Sequence, residues 1–217
     1  MKTSVKNYII RYIVFLVGIY IMALGVAIST KSNLGTSPTS SVPYVLSLIT
    51  SFTMGQITIF WNILLVFVQI LLLRKNFQPI QLLQIVVSII FGYFTDSTIA
   101  LVSGLSANTY IMRWVFCLAS FFMVALGVFM EVRANVLMLP GEGVSTAVAK
   151  VTKIEFPKVK IGVDITWVVL ASLFSLIGSG KLQGVREGTV ASAICIGMIV
   201  KLYGKLFGDK IDKLLKN

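Results

Sequence analysis

Six stretches of this chain, residues 9–30, 55–73, 80–102, 109–130, 161–177 and 188–207, are apolar almost throughout and carry no more than two charges each. A helix needs about 20 apolar residues to cross a hydrocarbon core of about 30 Å. Within that core each backbone N–H and C=O has to be bonded inside its own segment, which leaves helices as the spanning form for runs of this kind. The fold class expected is therefore an all-α polytopic membrane protein. Composition agrees: 57% of the 217 residues are hydrophobic and 12% charged, against about 25% charged in ordinary soluble domains. A disordered chain, a disulfide scaffold and a soluble enzyme with a membrane tail are excluded. The basic start followed by an apolar run resembles a signal peptide, but the run is too long for a typical h-region and right for a spanning helix.

The net charge of +11 would suggest nucleic acid in a soluble protein. Here Lys and Arg cluster at the ends of apolar runs, where they orient a membrane protein, so no nucleic-acid partner is expected. The chain has no His, which removes His-ligated metals, haem and His-based triads. Cys117 and Cys195 stand in separate apolar runs with no CxxC pattern. No cofactor or metal site is expected, and no Walker A, GxSxG or HExxH pattern occurs.

The chain reads as a duplication. At an offset of 102, Arg11 meets Arg113, Leu16 meets Leu118, and Ala23-Leu24-Gly25-Val26 meets Ala125-Leu126-Gly127-Val128. Asn33 meets Asn135, Pro38 meets Pro140, Val42 meets Val144 and Asn62 meets Asp164. Residues 11–33 hold 7 identities without a gap. Later the offset is 105, with Gln78 on Gln183 and Gly92 on Gly197. Apolar stretches look alike by composition, but an Arg, an Asn, a Pro and a four-residue block in one register do not arise that way. The division expected is a cytoplasmic N-terminus at 1–8, repeat halves at 9–104 and 105–207, and a basic cytoplasmic tail at 208–217.

Each half holds a long run, a short Gly/Pro/Ser/Thr segment (33–52; 135–153) and two further long runs. The short segments fall below a spanning length. If they enter and return on one side, the chain has six transmembrane helices plus two re-entrant half-helices, and the halves are inverted. If they cross, it has eight spans and parallel halves. Six spans place 15 of the 19 basic residues on the inner face and leave Lys31, Arg113, Lys181 and Arg186 outside, whereas eight spans divide them 13 to 6. The positive-inside bias favours six spans with both termini cytoplasmic.

An odd number of spans per half gives inverted repeats, a plan shared by many secondary transporters. There the N-termini of broken helices point free N–H groups at the substrate. In the first short segment the candidates are Thr36, Ser37 and Ser40; in the second, Glu142 and Ser145. Ordinary helix capping is the plainer role for the hydroxyls, and stabilising its own helix is the plainer role for Glu142. A carboxylate between two glycines at membrane depth can instead take a cation, a proton or a substrate's amino group. Asn62 and Asp164 sit at equivalent places in otherwise apolar stretches. An interhelical hydrogen bond and an interfacial ion pair are their plainer roles, and lining a solute site is the alternative. For Asp96, Arg186 and Glu187 the interfacial role leads.

With Asn33-Leu34-Gly35-Thr36-Ser37-Pro38 followed by Pro43-Tyr44-Val45-Leu46-Ser47, the chain resembles the YczE/YyaS/YitT group of bacterial integral membrane proteins. Pro140-Gly141-Glu142-Gly143 and Val185-Arg186-Glu187-Gly188-Thr189 support the likeness, which covers essentially the whole chain. The resemblance implies a bacterial plasma membrane and supplies no substrate or catalytic residues. The function expected is a secondary transporter of a small solute, not an enzyme. Its partners would be the lipid bilayer, the solute and a coupling proton or sodium bound at Glu142 or Asp164; a homo-oligomer is left open. The alternatives are a substrate-binding subunit of an ATPase-driven importer and a scaffold or regulator of a membrane assembly.

Overall fold

Helix boundaries follow from local sequence. Pro occupies the first turn of the helices at Pro38–Ile49, Pro140–Thr152 and Phe156–Ser179, where its missing N–H is not needed. Asn33 and Asn135 take left-handed backbone angles, and Asn tolerates that conformation where a helix ends. Thr53 and Gln56 form a reciprocal capping box at the start of Met54–Leu73. The computed structural model describes residues 5–216. Lys2, one of the charges assigned to the inner face, and the tail residue Asn217 lie outside the described residues, as do the side chains of Lys6 and Lys216.

The elements are α1 (Val5–Ser32), α2 (Pro38–Ile49), α3 (Met54–Leu73), α4 (Leu83–Leu101), α5 (Tyr110–Ala134), α6 (Pro140–Thr152), α7 (Phe156–Ser179) and α8 (Glu187–Lys216), with two short 3-10 turns between α3 and α4. No strand occurs among the described residues. Six helices, all but α2 and α6, are long and apolar enough to cross a membrane, and the chain is a multi-pass membrane protein. The two short helices have 12 and 13 residues, about 18–20 Å at 1.5 Å per residue, well under the hydrocarbon thickness. Pro38 and Pro140 open these helices, and Met54 and Phe156 open the ones after them, each pair 102 residues apart.

The central packing is α1 against α5. Gly18 lies on Gly127 and Met130, and Gly25 on Met123 and Val124. The pairing runs in opposite senses along the two helices, so they are antiparallel. A Cβ on Gly127 would stand 2.6 Å from Gly18 O and 2.9 Å from Met22 N. Small residues of this kind let helix backbones approach closely where lipid offers no hydrophobic drive for association. Arg11 closes one end of the seam by donating to Ala134 O at 3.0 Å. Around this pair, α4 packs on α1 and α8 on α5; α2 packs on α7 and α6 on α3. At the α3–α4 contact, Asp96 accepts from Gly55 N at 2.7 Å and Thr53 Oγ1 at 2.6 Å. It caps the start of α3.

Charges gather at two opposite ends. Arg11 and Arg133 lie at one, with Lys150 and the α3–α4 turn that carries Arg74 and Lys75. Lys31, Arg113 and Arg186 lie at the other. The described residues of the stretch 208–217 are the last turns of α8, which runs to Lys216. Asp212 pairs with Arg133 at 2.7 Å, and Leu215 is buried in the core formed with α1 and α5.

Overpacking against backbone costs about 1–3 kcal/mol, so Gly127→Ala is expected to lower thermal stability in detergent by that amount. Gly162, within α7, has nothing within 4 Å of the place a Cβ would take, so Gly162→Ala is expected to be neutral or stabilising by up to about 1 kcal/mol. Equal behaviour of the two variants would contradict the seam.

Candidate functional site

The two short helices meet at their N-terminal tips. Gly141 in the first turn of α6 lies against the Thr39 side chain of α2, with no room for a Cβ between them. Ser41 Oγ reaches Trp167 O at 3.5 Å, which sets the first turn of α2 beside the middle of α7. Gln69 Nε2 donates to Pro140 O at 3.4 Å, joining the tip of α6 to α3. From this meeting point α2 runs towards the α7 C-terminus, where Ile49 packs on Gly178. The α6 helix runs the other way, towards the end that holds Lys150 and Asn76. Two helix N-termini, each with its partial positive charge, therefore converge inside the molecule.

A charged cluster sits at these tips. Lys160 of α7 donates to Asp164 Oδ1 at 2.6 Å, pairs with Glu142 Oε1 at 3.3 Å and donates to Thr39 Oγ1 at 3.4 Å. The side chains of Lys160, Glu142 and Asp164 are 23%, 24% and 16% exposed. Two carboxylates share one ammonium, so the cluster holds one surplus negative charge when all three are ionised. Glu142 stands in the first turn of α6, where the helix dipole favours an anion. The cluster thus has one more carboxylate than its ammonium can neutralise, and its side chains keep partial access to the surroundings.

The other expected site residues lie apart from this cluster. Thr36 is buried and accepts from Ser29 Oγ at 2.7 Å. Ser37 reaches Ser40 Oγ at 3.3 Å, and Ser145 is buried and bonds back to Gly141 O at 3.4 Å. Each of these bonds is local in the chain. Asn62 is buried on α3, and no hydrogen bond among the described residues joins it to Lys160.

Several polar residues of the interior escape a reading of the sequence. Gln69 and Gln84 form a reciprocal amide pair, Gln69 Nε2 to Gln84 Oε1 at 3.0 Å and Gln84 Nε2 to Gln69 Oε1 at 3.4 Å, with both side chains buried. Gly143 leaves the space that Gln69 fills. Gln69 stands in an apolar run as Asn62 does, and the same signal marks it. Glu131, near the end of α5, accepts from Leu139 N at 2.7 Å; its neighbour Arg133 makes it look like an ordinary interfacial charge. Lys160 reads as a boundary residue because it stands one turn into α7, although its stem is long enough to reach inward.

Two cavities lie towards opposite ends of the molecule. One, of about 290 Å³, lies between α3, α4, α5 and α6 and is lined by Gln78, Gln81, Glu131, Asn135 and Lys150 among others. The second, of about 340 Å³, is lined by Asn33, Arg113, Gln183 and Arg186 among others. Asn33 and Asn135 stand 102 residues apart and Gln78 and Gln183 stand 105 apart, the two offsets noted in the sequence.

Removing one partner of a fully buried ion pair costs about 3 kcal/mol because the other charge is left uncompensated, and less where, as here, the side chains keep partial access. Lys160→Met is thus expected to destabilise. Adding Glu142→Gln and Asp164→Asn should recover most of the loss, as a double-mutant cycle of thermal unfolding would show; simple additivity would mean the three side chains are not coupled.

Comparison with curated proteins and with solved structures finds no match. One family model covers residues 9–205, nearly the whole chain, and the protein belongs to that family, the family of unknown function DUF6198.

Proposed function

We propose that this protein is a secondary transporter of a small solute, built from two inverted repeats and working by alternating access. One observation carries the reading: two helices too short to span meet tip to tip inside the bundle and then run towards opposite ends. Non-helical backbone at membrane depth is tolerated only where it is buried in protein or lines a wet cavity. Discontinuous helices whose N-termini converge are a recurrent way to build a midplane solute site. The antiparallel α1–α5 seam is what a duplication in opposite orientations would produce. The pair of cavities at repeat-equivalent positions supplies an approach from each side.

In this reading the end with Arg11, Arg74, Lys75, Arg133 and Lys150 is cytoplasmic, by the positive-inside bias, and the membrane is a bacterial plasma membrane. The Glu142–Lys160–Asp164 cluster is the coupling element. Protonation of one carboxylate, or sodium binding between the two, would compete with Lys160 and change how tightly α6 and α7 are joined.

The test is a stability screen of purified protein with amino acids, vitamins, nucleosides and organic ions, with and without sodium, and then uptake into proteoliposomes without nucleotide. A ligand of the folded form raises stability by about 2.7 kcal/mol at a hundredfold excess over Kd. The expected outcome is a stabilising solute that the purified chain alone accumulates under a proton or sodium gradient, with accumulation lost in Glu142→Gln. Uptake only in the presence of an ATPase, or none for any stabilising solute, would reject the secondary-carrier reading.

A further inference from the structure

We propose that the cavity between α3, α4, α5 and α6 binds a small solute bearing a protonated amine, with Glu131 as the counter-ion. The proposal deepens the carrier reading and rests on it for the step across the membrane; binding itself stands or falls separately.

Glu131 is 2% exposed and lines the cavity. Its Oε1 accepts from Leu139 N at 2.7 Å, while its Oε2 is buried with no partner. A buried carboxylate oxygen left unbonded is costly, and a donor arriving from the cavity would remove that cost. The carboxylates of Glu142 and Asp164 already face Lys160. Among the described residues, Glu131 is the carboxylate with a buried oxygen that has no partner.

The cavity's size and walls select the ligand class. At about 290 Å³ it exceeds by several times the roughly 30 Å³ share of one water molecule, so it suits a molecule of several heavy atoms. Gln78, Gln81 and Asn135 bring amides to the walls, while the Gln84 amide is held by Gln69. Amides both donate and accept, and they suit a polar body without choosing its sign. The sign is chosen by the single carboxylate. A hard divalent cation would want more carboxylate oxygens than this wall offers, and no group of three metal-ligating side chains occurs among the described residues. Lys150 lies exposed at the rim, where it suits a carboxylate at the far end of the solute.

The opposite cavity differs at this point. The residue aligned with Glu131 is Ser29, which is satisfied by Val26 O and Thr36 Oγ1. Arg113 and Arg186 line that cavity instead. Amine recognition therefore belongs to one end only.

The experiment titrates purified wild-type protein with ethanolamine, 1,4-diaminobutane and glycinamide, using ethylene glycol as an uncharged control, and reads thermal stability. At least one amine should give saturable stabilisation that ethylene glycol does not. Glu131→Gln keeps an acceptor for Leu139 N–H and loses the charge; it should weaken the apparent affinity at least about tenfold, as expected for loss of a hydrogen bond to a charged group. Asp209→Asn, a change at an exposed position on α8, should bind as wild type. A second measurement needs no variant: dicyclohexylcarbodiimide labelling of Glu131, mapped by mass spectrometry, should be slowed by the stabilising amine and not by ethylene glycol. Stabilisation by sodium but by no amine, unchanged affinity in Glu131→Gln, or labelling that no amine slows would each overturn the proposal. Amine binding that depends on Glu131 without uptake into proteoliposomes would instead reject the carrier and leave the site standing.

Discussion

The contact between α1 and α5 is the constraint on which the rest of the arrangement depends. Lipid is as apolar as the helix surfaces it surrounds, so two helices gain from association only by packing more closely than lipid can. Gly18, Gly25 and Gly127 permit that approach, and Arg11 ties its end to Ala134. Because the helices are antiparallel, their C-termini lie at opposite ends of the molecule. The turn after α1 and the turn after α5 then lead their short helices inward from those two ends, and the tips meet.

Bringing irregular backbone to that depth leaves polar groups to satisfy, and the chain meets the demand with neighbours close in sequence and in space. Leu34 N–H donates to Ser32 Oγ at 3.1 Å, and Leu34 O accepts from Gly188 N–H at 2.9 Å. Asn33 O takes a bond from Arg186 at 3.2 Å. In the second half Leu139 N–H finds Glu131. One half thus uses hydroxyls and a distant helix start where the other uses a carboxylate. The two tips share a backbone plan and differ in charge, and that difference gives the central region a polarity along the membrane normal.

The class of fold is legible from the apolar runs alone, since nothing but helices can occupy stretches of that length in a bilayer. The short segments are legible as helices because Pro38 and Pro140 mark first turns and length rules out a crossing. The candidate site is legible only in part. Glu142 and Asp164 announce themselves as carboxylates in apolar surroundings, but the residue that joins them does not: Lys160 reads as a boundary charge, and only the packing of α6 on α7 shows where its ammonium goes. Thr36, Ser37, Ser40 and Ser145 carry the composition of a binding loop, and each makes one bond to a near neighbour in the chain. Glu131 is hidden by Arg133, because sequence cannot say which of two nearby charges turns inward. Sequence reports that a polar group stands at membrane depth; which neighbour it meets is set by crossing helices, and that information is not local.

Each short helix packs on a long helix of the other half, α2 on α7 and α6 on α3, so the units of sequence are not the units of mechanics. Drawing residues 9–104 away from 105–207 as rigid blocks would peel both short helices off the surfaces they cover and break the α1–α5 seam as well. A displacement that keeps those contacts has to carry α2 with α7 and α6 with α3, and to slide that interlocked foursome against the spine of α1 and α5. The chain sets out one series of elements twice, in the order long, short, long, long, while packing joins each short helix to a long helix from the other series.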